Sequence, residues 1–293
     1  RVALLSIATM TTSITTTAAA AADNCLAPEV LQRYPVLSNT QVSPDSNLLE
    51  IGFTGRDYLG WKRDVPTCVA VCYNETDSMK VLKKSYSPIS HPNTPDKFQL
   101  LVKAYAPRPG GGVGAYLCGL QPGDSIEAKI KSERIVHGSS SVLNRGWNHV
   151  GLVAGGTGIA PLYQLVQILL ASKDEATKIY VLSINYTEKD ILLKAELDQL
   201  AQEYPERIKV TYSLTNQEQA NSEEHYEYGR GSVDMIRKAL PNPGDDVMVF
   251  VCGRDGFVET WGGPVGRAPP LADGSKGPKI QGPLLGLLKD AGY

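Results

Sequence analysis

The feature that most narrows what this chain can fold into is a glycine-rich turn between two apolar runs of different period. His149-Val150-Gly151-Leu152-Val153 reads as a buried strand, and Gly155-Gly156-Thr157-Gly158 comes almost at once after it. From Ile159 to Ala171 the apolar positions recur at helical spacing, with Leu162, Leu165, Val166 and Leu169 on one face. Glycines let a backbone approach a phosphate closely, and a helix start offers free N–H groups with partial positive charge. A dinucleotide pyrophosphate suits that spot. Pro161 is tolerated in the first helical turn, where an N–H has no intrahelical partner. The turn is not the Gly-x-Gly-x-x-Gly of ordinary dehydrogenases, and a glycine corner after a strand is also a common tight turn.

The rest of this half strengthens the case for a bound dinucleotide. Lys178 to Ile184 reads as a second strand, and Asp190 as the N-cap of a helix running from Ile191 to about Glu203. A third strand over Ile208–Leu214, a helix over Val233–Leu240 and a fourth strand over Val247–Cys252 complete the series. Strands alternating with helices imply a doubly wound parallel sheet. Ligands of such sheets bind beyond the carboxyl ends of the strands. Cys252-Gly253 and the Gly155 turn are therefore expected at one crevice, although a thiol at a strand end is by itself more often core filler.

The first half has another rhythm. Leu48–Phe53, Cys68–Tyr73 and Phe98–Tyr105 are short strand-like runs, separated by turn formers such as Ser43-Pro44-Asp45, Ser87-Pro88 and Pro107–Gly112. This spacing predicts an antiparallel β-barrel or sandwich. At 293 residues the chain has room for two cores. Residues 25–146 are assigned to the barrel domain and 147–293 to the α/β domain. Residues 1–24 are set outside the fold as a targeting or anchor remnant or a loose tail, because Arg1–Ala22 is rich in Thr and Ala, lacks acidic residues and has apolar stretches too short to span a bilayer. Starting at Arg1 rather than Met, the chain is expected to be a piece of a longer protein.

Net charge of −2 gives no global case for nucleic acid as a partner. Five scattered cysteines include no CxxC pair, so neither a zinc site nor a disulfide framework is expected. Cys68 and Cys72 would share a face of one strand as core filler, in a fold made for a reducing compartment. None of His91, His137, His149 and His225 has metal-ligand spacing.

The chain resembles the NADH-cytochrome b5 reductase branch of the ferredoxin-reductase-like flavoenzymes over roughly Val42 to Tyr293. Ala154–Pro161 is similar to the family's nicotinamide motif, and Asn185-Tyr186-Thr187-Glu188-Lys189-Asp190-Ile191-Leu192-Leu193 to its loop after the second strand. Tyr228-Gly229-Arg230-Gly231-Ser232-Val233 and Cys252-Gly253 come next in order, and Gln281–Tyr293 is similar to the end of the mitochondrial and plant type. The resemblance implies FAD and NADH as cofactors, with hydride passing from NADH to FAD and single electrons then passing to a haem protein such as cytochrome b5. It places Lys84, Tyr86, Ser87, Val102, Lys103, Tyr105 and the glycine run Gly111, Gly112, Val113, Gly114 and Ala115 around FAD. Gly155, Gly156, Gly158, Pro161, Cys252 and Gly253 fall on the nicotinamide side, and Thr157 is placed near the flavin ring. Thr157, Cys252 and Tyr86 are the candidates for direct contact with the reacting rings. A monomer is expected, located in the mitochondrion (outer membrane or intermembrane space) or attached to a membrane through the N-terminal segment.

Departures from the family pattern bear on the flavin. Lys84 replaces an arginine, which loses the planar fork that holds phosphate with two bonds. Gly114 replaces a Ser or Thr and so lacks a hydroxyl. Arg254-Asp255-Gly256-Phe257 stands where the family has a proline-rich stretch. Alternatives with the same residues are a same-fold reductase serving a ferredoxin-like protein or a fused haem domain, and a degenerate flavin-binding partner protein with little turnover. Preference for NADH comes from the resemblance, since neither an acidic residue nor an arginine stands at Thr215. Lys80, Lys83 and Lys84 are a candidate basic patch for steering an acidic acceptor.

Overall fold

The computed structural model describes residues 2–4, 30–53, 64–74, 81–91, 94–105, 112–131, 141–216, 225–270, 277 and 279–293. Contacts divide the chain into two compact units, and each is described by itself. Val2–Leu4 forms a short strand, β1, belonging to the second unit.

In the first unit, β2 (Gln32–Ser43), β3 (Ser46–Gly52), β4 (Val69–Asn74), β5 (Val81–Tyr86), β6 (Lys97–Lys103) and β7 (Ser125–Ile130) make one antiparallel sheet in the order β5-β4-β7-β2-β3-β6. Its two ends are joined. Pro88, just past β5, bridges Leu100 in β6, and the Ile89 amide donates to the Gln99 carbonyl at 2.9 Å. Alternation fills the barrel with Val36, Leu49, Ile51, Val69, Val71, Phe98, Leu100, Val102 and Ile126. Cys68 and Cys72 are buried as expected, but the barrel core takes Val69 and Val71, the alternate residues of the same strand.

One element departs from the sequence expectation. Val113–Gly119 is a helix, α1, where the glycine run reads as a loop. Val113 and Leu117, one turn apart, bury themselves in the barrel core, and that burial outweighs the poor helix propensity of Gly114 and Gly119.

The second unit is the doubly wound sheet. β8 (His149–Gly155) is followed by α2 (Ile159–Ala171), β9 (Lys178–Asn185), α3 (Lys194–Glu203), β10 (Ile208–Leu214), β11 (Glu227–Tyr228), α4 (Val233–Ala239), β12 (Val247–Cys252) and α5 (Asp255–Gly262). A two-stranded piece, β13 (Val265–Arg267) with β14 (Lys279–Gln281), precedes the short α6 (Gly286–Asp290). All strands of the main sheet are parallel, in the order β1-β12-β8-β9-β10-β11. One face carries Val153, Leu182, Ile184, Val247, Val249 and Val251 against Met235, Ile236, Val258, Trp261 and Leu288 of α4, α5 and α6. The alternate positions of β8 and β12 face the other way, where α2 packs.

Three boundaries differ from expectation. The N-terminal segment set outside the fold contributes β1, whose Val2–Leu4 pairs with Val249–Val251. Residues 141–146, assigned to the barrel, belong to the second unit: the Arg145 guanidinium lies 4.6 Å from the Trp147 ring centroid, and the Asn144 amide donates to Glu175. Asp190 does not cap a helix at Ile191. It closes a 3-10 turn, Glu188–Asp190, and α3 starts only after Leu193, which has φ +57. Among the described residues no helix is long and apolar enough to cross a membrane.

Candidate active site

Cys252 pairs with Ala154, so the chain leaves β8 and β12 at the same level and on the same sheet edge. The expected meeting of the glycine turn with Cys252-Gly253 is what the register produces. Gly156 has φ +53, a left-handed conformation suited to glycine. Gly158 has an ordinary helical backbone, φ −60, and is demanded by space instead. A Cβ there would stand 2.1 Å from the Cys252 carbonyl oxygen and 2.5 Å from its carbon. The start of α2 is therefore pressed onto the end of β12. Thr157 is half-buried in the turn, and Cys252 is buried. Pro161 is buried too, so its part is to start α2 rather than to meet a ligand.

Gly155 and Gly253 are a second glycine pair with one cause. The ring of Phe257 in α5 would lie 3.0 Å from a Cβ on Gly155 and 2.6 Å from one on Gly253. Phe257 thus covers the last rung between β8 and β12. No local pattern in the sequence signals this packing, because it joins a helix to the ends of two strands.

The neighbouring strand ends are held by backbone hydrogen bonds. The Thr215 amide donates to the Asn185 carbonyl and the Asn216 amide to that of Tyr186, both at 2.9 Å. The Thr187 amide and hydroxyl both donate to the Asp190 carboxylate, at 2.9 and 2.6 Å. Asn185 donates to Ser183 at 3.0 Å, and its side-chain oxygen is buried with no partner. The Asn185–Leu193 signature is a fixed loop at the rim of the crevice. Tyr186 and Tyr228 expose their rings there.

In the barrel unit the structure brings together Lys84, Tyr86, Tyr105, Lys103 and Gly114. The Lys84 ammonium lies 5.3 Å from the Tyr86 ring centroid and 5.0 Å from that of Tyr105. Tyr86 is buried at the end of β5, and its hydroxyl has no hydrogen-bond partner. Burial, then the nearby Cys118 and Tyr105, pushes this phenol far above its ordinary range, so it stays a neutral donor. A Cβ on Gly114 would lie 3.8 Å from that hydroxyl and 2.5 Å from the Lys103 carbonyl oxygen. The missing hydroxyl at Gly114 is therefore a consequence of how closely α1 approaches β6. A buried donor aimed at a glycine cradle, with a cation between two aromatic rings, fits a phosphorylated flat heterocycle such as FAD.

Other expected flavin contacts have different roles. Val102 and Val113 point into the barrel core, so they can offer a cofactor only their backbone. The Lys103 ammonium is engaged by Asp45 at 2.6 Å. Ser87 is buried next to Tyr86. Gly112 caps α1, whose first turn contains Ala115, whereas Gly111 and Lys80 lie outside the described residues.

Two family models match the two units in chain order. The oxidoreductase FAD-binding domain matches residues 33–135, and the oxidoreductase NAD-binding domain matches residues 152–261. An NADH-cytochrome b5 reductase-like protein of Arabidopsis thaliana is 31% identical over 92% of this chain and 76% of its own length. NADH-cytochrome b5 reductase 1 of Meyerozyma guilliermondii is 33% identical over 78% of this chain and 75% of its own. Among solved structures, the cytochrome b5 reductase domain of Ulva prolifera nitrate reductase superposes with a TM-score of 0.68 at 26% identity, covering 80% of this chain and 91% of that domain.

Proposed function

Because this chain belongs to the NADH-cytochrome b5 reductase family, we propose that it takes a hydride from NADH onto FAD and releases electrons singly to a cytochrome b5-like haem protein. The observation that carries this reading is the paired close approach: Gly158 against the Cys252 carbonyl in the nicotinamide unit, and Gly114 against the Lys103 carbonyl beside the unpartnered Tyr86 hydroxyl in the flavin unit.

FAD, when bound, supplies the redox chemistry, since it accepts two electrons together and passes them on one at a time. The chain supplies binding, orientation and exclusion of water. Lys84 offers a positive charge, Tyr86 a hydroxyl donor and a flat ring, and Tyr105 a second aromatic face. On the other unit, the glycine turn Gly155–Gly158 that leads into α2 lets a dinucleotide pyrophosphate approach the backbone closely. Thr157 and Cys252 line the place where the nicotinamide ring would enter. No general base is needed, because a hydride moves without a separate proton transfer.

Substitution separates these roles. Thr157→Ala and Cys252→Ala are expected to slow anaerobic bleaching of bound flavin by NADH on the order of tenfold or more, through misalignment of the reacting ring. Flavin absorbance should persist at wild-type intensity in both. Stopped-flow traces unchanged in both variants would remove these residues from the site.

The location proposed for the protein is mitochondrial or membrane-attached, supported by the similarity of Gln281–Tyr293 to the mitochondrial and plant type and by the Thr- and Ala-rich N-terminal segment without acidic residues. A monomer is the proposed state, on the family resemblance.

A further inference from the structure

The ends of β10 and β11 bring two distant segments of the chain to one sheet edge. Leu214 pairs with Tyr228, and the Gly229 amide donates to the Leu214 carbonyl at 2.9 Å. Past this pair one segment continues into Thr215, and the other passes through Gly229 to Arg230. Thr215 is held by its amide, which donates a hydrogen bond to the Asn185 carbonyl. Arg230 stands between Gly229, φ +113, and Gly231, φ +131, in a corner that only glycines turn readily. Its carbonyl accepts a hydrogen bond from the indole of Trp261 at 3.2 Å, and Trp261 is fully buried. A Cβ on Gly231 would meet that indole at 2.5 Å. The backbone is thus held from beneath while the guanidinium is exposed.

Among the described residues no carboxylate pairs with Arg230. Glu227 is taken by Lys238 at 3.2 Å and Asp234 by Arg237 at 3.4 Å. The strand ends beside it, Asn185-Tyr186-Thr187 and Thr215-Asn216, carry no acid. A dinucleotide site on such an edge uses an acidic residue to hold a free ribose 2′-hydroxyl, and a nearby arginine to hold a 2′-phosphate. This edge has the second arrangement. The planar fork of a guanidinium matches phosphate oxygens with two parallel hydrogen bonds.

We propose that Arg230, at the same sheet edge as Thr215, binds the adenosine 2′-phosphate of NADPH, so that the site accepts NADPH as well as NADH. The inference rests on the proposed function, which puts the dinucleotide on this edge.

The test is calorimetric titration of the full chain with 2′,5′-ADP and with 5′-AMP, which differ by the 2′-phosphate alone. In low salt 2′,5′-ADP is expected to bind about tenfold tighter, the gain of one charge-assisted phosphate contact. The margin should shrink as salt rises, because the pair is exposed. Arg230→Gln and Thr215→Asp should each bring the two affinities together while leaving that for 5′-AMP in place. Equal affinities in the unaltered chain, or an undiminished margin in Arg230→Gln, would overturn the assignment. Anaerobic reduction of bound flavin by NADH is followed in parallel: normal reduction without a 2′-phosphate margin removes only the role of Arg230, whereas no reduction by NADH removes the proposed function.

Discussion

Gly158→Ala is expected to lower the melting temperature by about 5 °C and to slow flavin reduction by NADH on the order of a hundredfold. The added methyl would lie 2.1 Å from the Cys252 oxygen and 2.9 Å from the Gly253 amide nitrogen. Both are backbone atoms in or beside β12, so no side chain can swing aside. Overpacking of this kind costs about 1–3 kcal/mol, and relief comes only if α2 withdraws from the strand end. The withdrawal would move Thr157 and the α2 amides away from Cys252. Gly156→Ala is the control. Its Cβ meets nothing within 4 Å, so it should cost only the left-handed backbone, roughly 1–2 kcal/mol, with a smaller effect on rate. Thermal melts and single-turnover bleaching compare the two, and a Gly158→Ala protein matching the unaltered chain in both would show that α2 is not pressed onto β12.

The second large effect is expected at Gly114, where Ser would restore the residue type of the family. Gly114→Ser should weaken FAD binding by roughly ten- to a hundredfold, the equivalent of a 1–3 kcal/mol clash. Its Cβ would stand 2.5 Å from the Lys103 carbonyl oxygen. Lys103 cannot retreat easily, since it ends β6 opposite Ser46 and its ammonium is bound to Asp45. Helix α1 would therefore lift off β6, opening the cradle beside the Tyr86 hydroxyl. Quenching of FAD fluorescence on titration reads the affinity. Binding as tight as in the unaltered chain, or tighter, would mean that the glycine is a simple loss and not a packing requirement.

The α/β unit is the more legible half, because its periods are long and distinct. The limits of α2, β10 and β12 match those read from apolar spacing, with glycines beside α2 and β12. The glycine turn and Cys252 are brought together correctly by the general rule that ligands sit at the carboxyl ends of parallel strands. Features that no sequence pattern signals depend on partners distant in the chain. Helix α1 forms against its local propensity because Val113 and Leu117 find the barrel core. The pairing of β1 with β12, the Phe257 ring over Gly155 and Gly253, and the Trp261 support beneath Arg230 each need two segments that no local pattern connects. Val102 and Lys103 show the limit of carrying a motif over by position. Adjacent residues on a strand face opposite ways, so one enters the core and the other reaches Asp45.

Anaerobic mixing of the FAD-loaded chain with NADH, and then with a ferric cytochrome b5-type protein, tests the proposed electron path most directly. The yellow flavin band is expected to bleach with NADH and to return on addition of the haem protein, with about two haems reduced for each NADH consumed, since a hydride carries two electrons and each haem takes one. A chain that takes up no FAD, or one whose bound flavin keeps its colour under excess NADH, would contradict it.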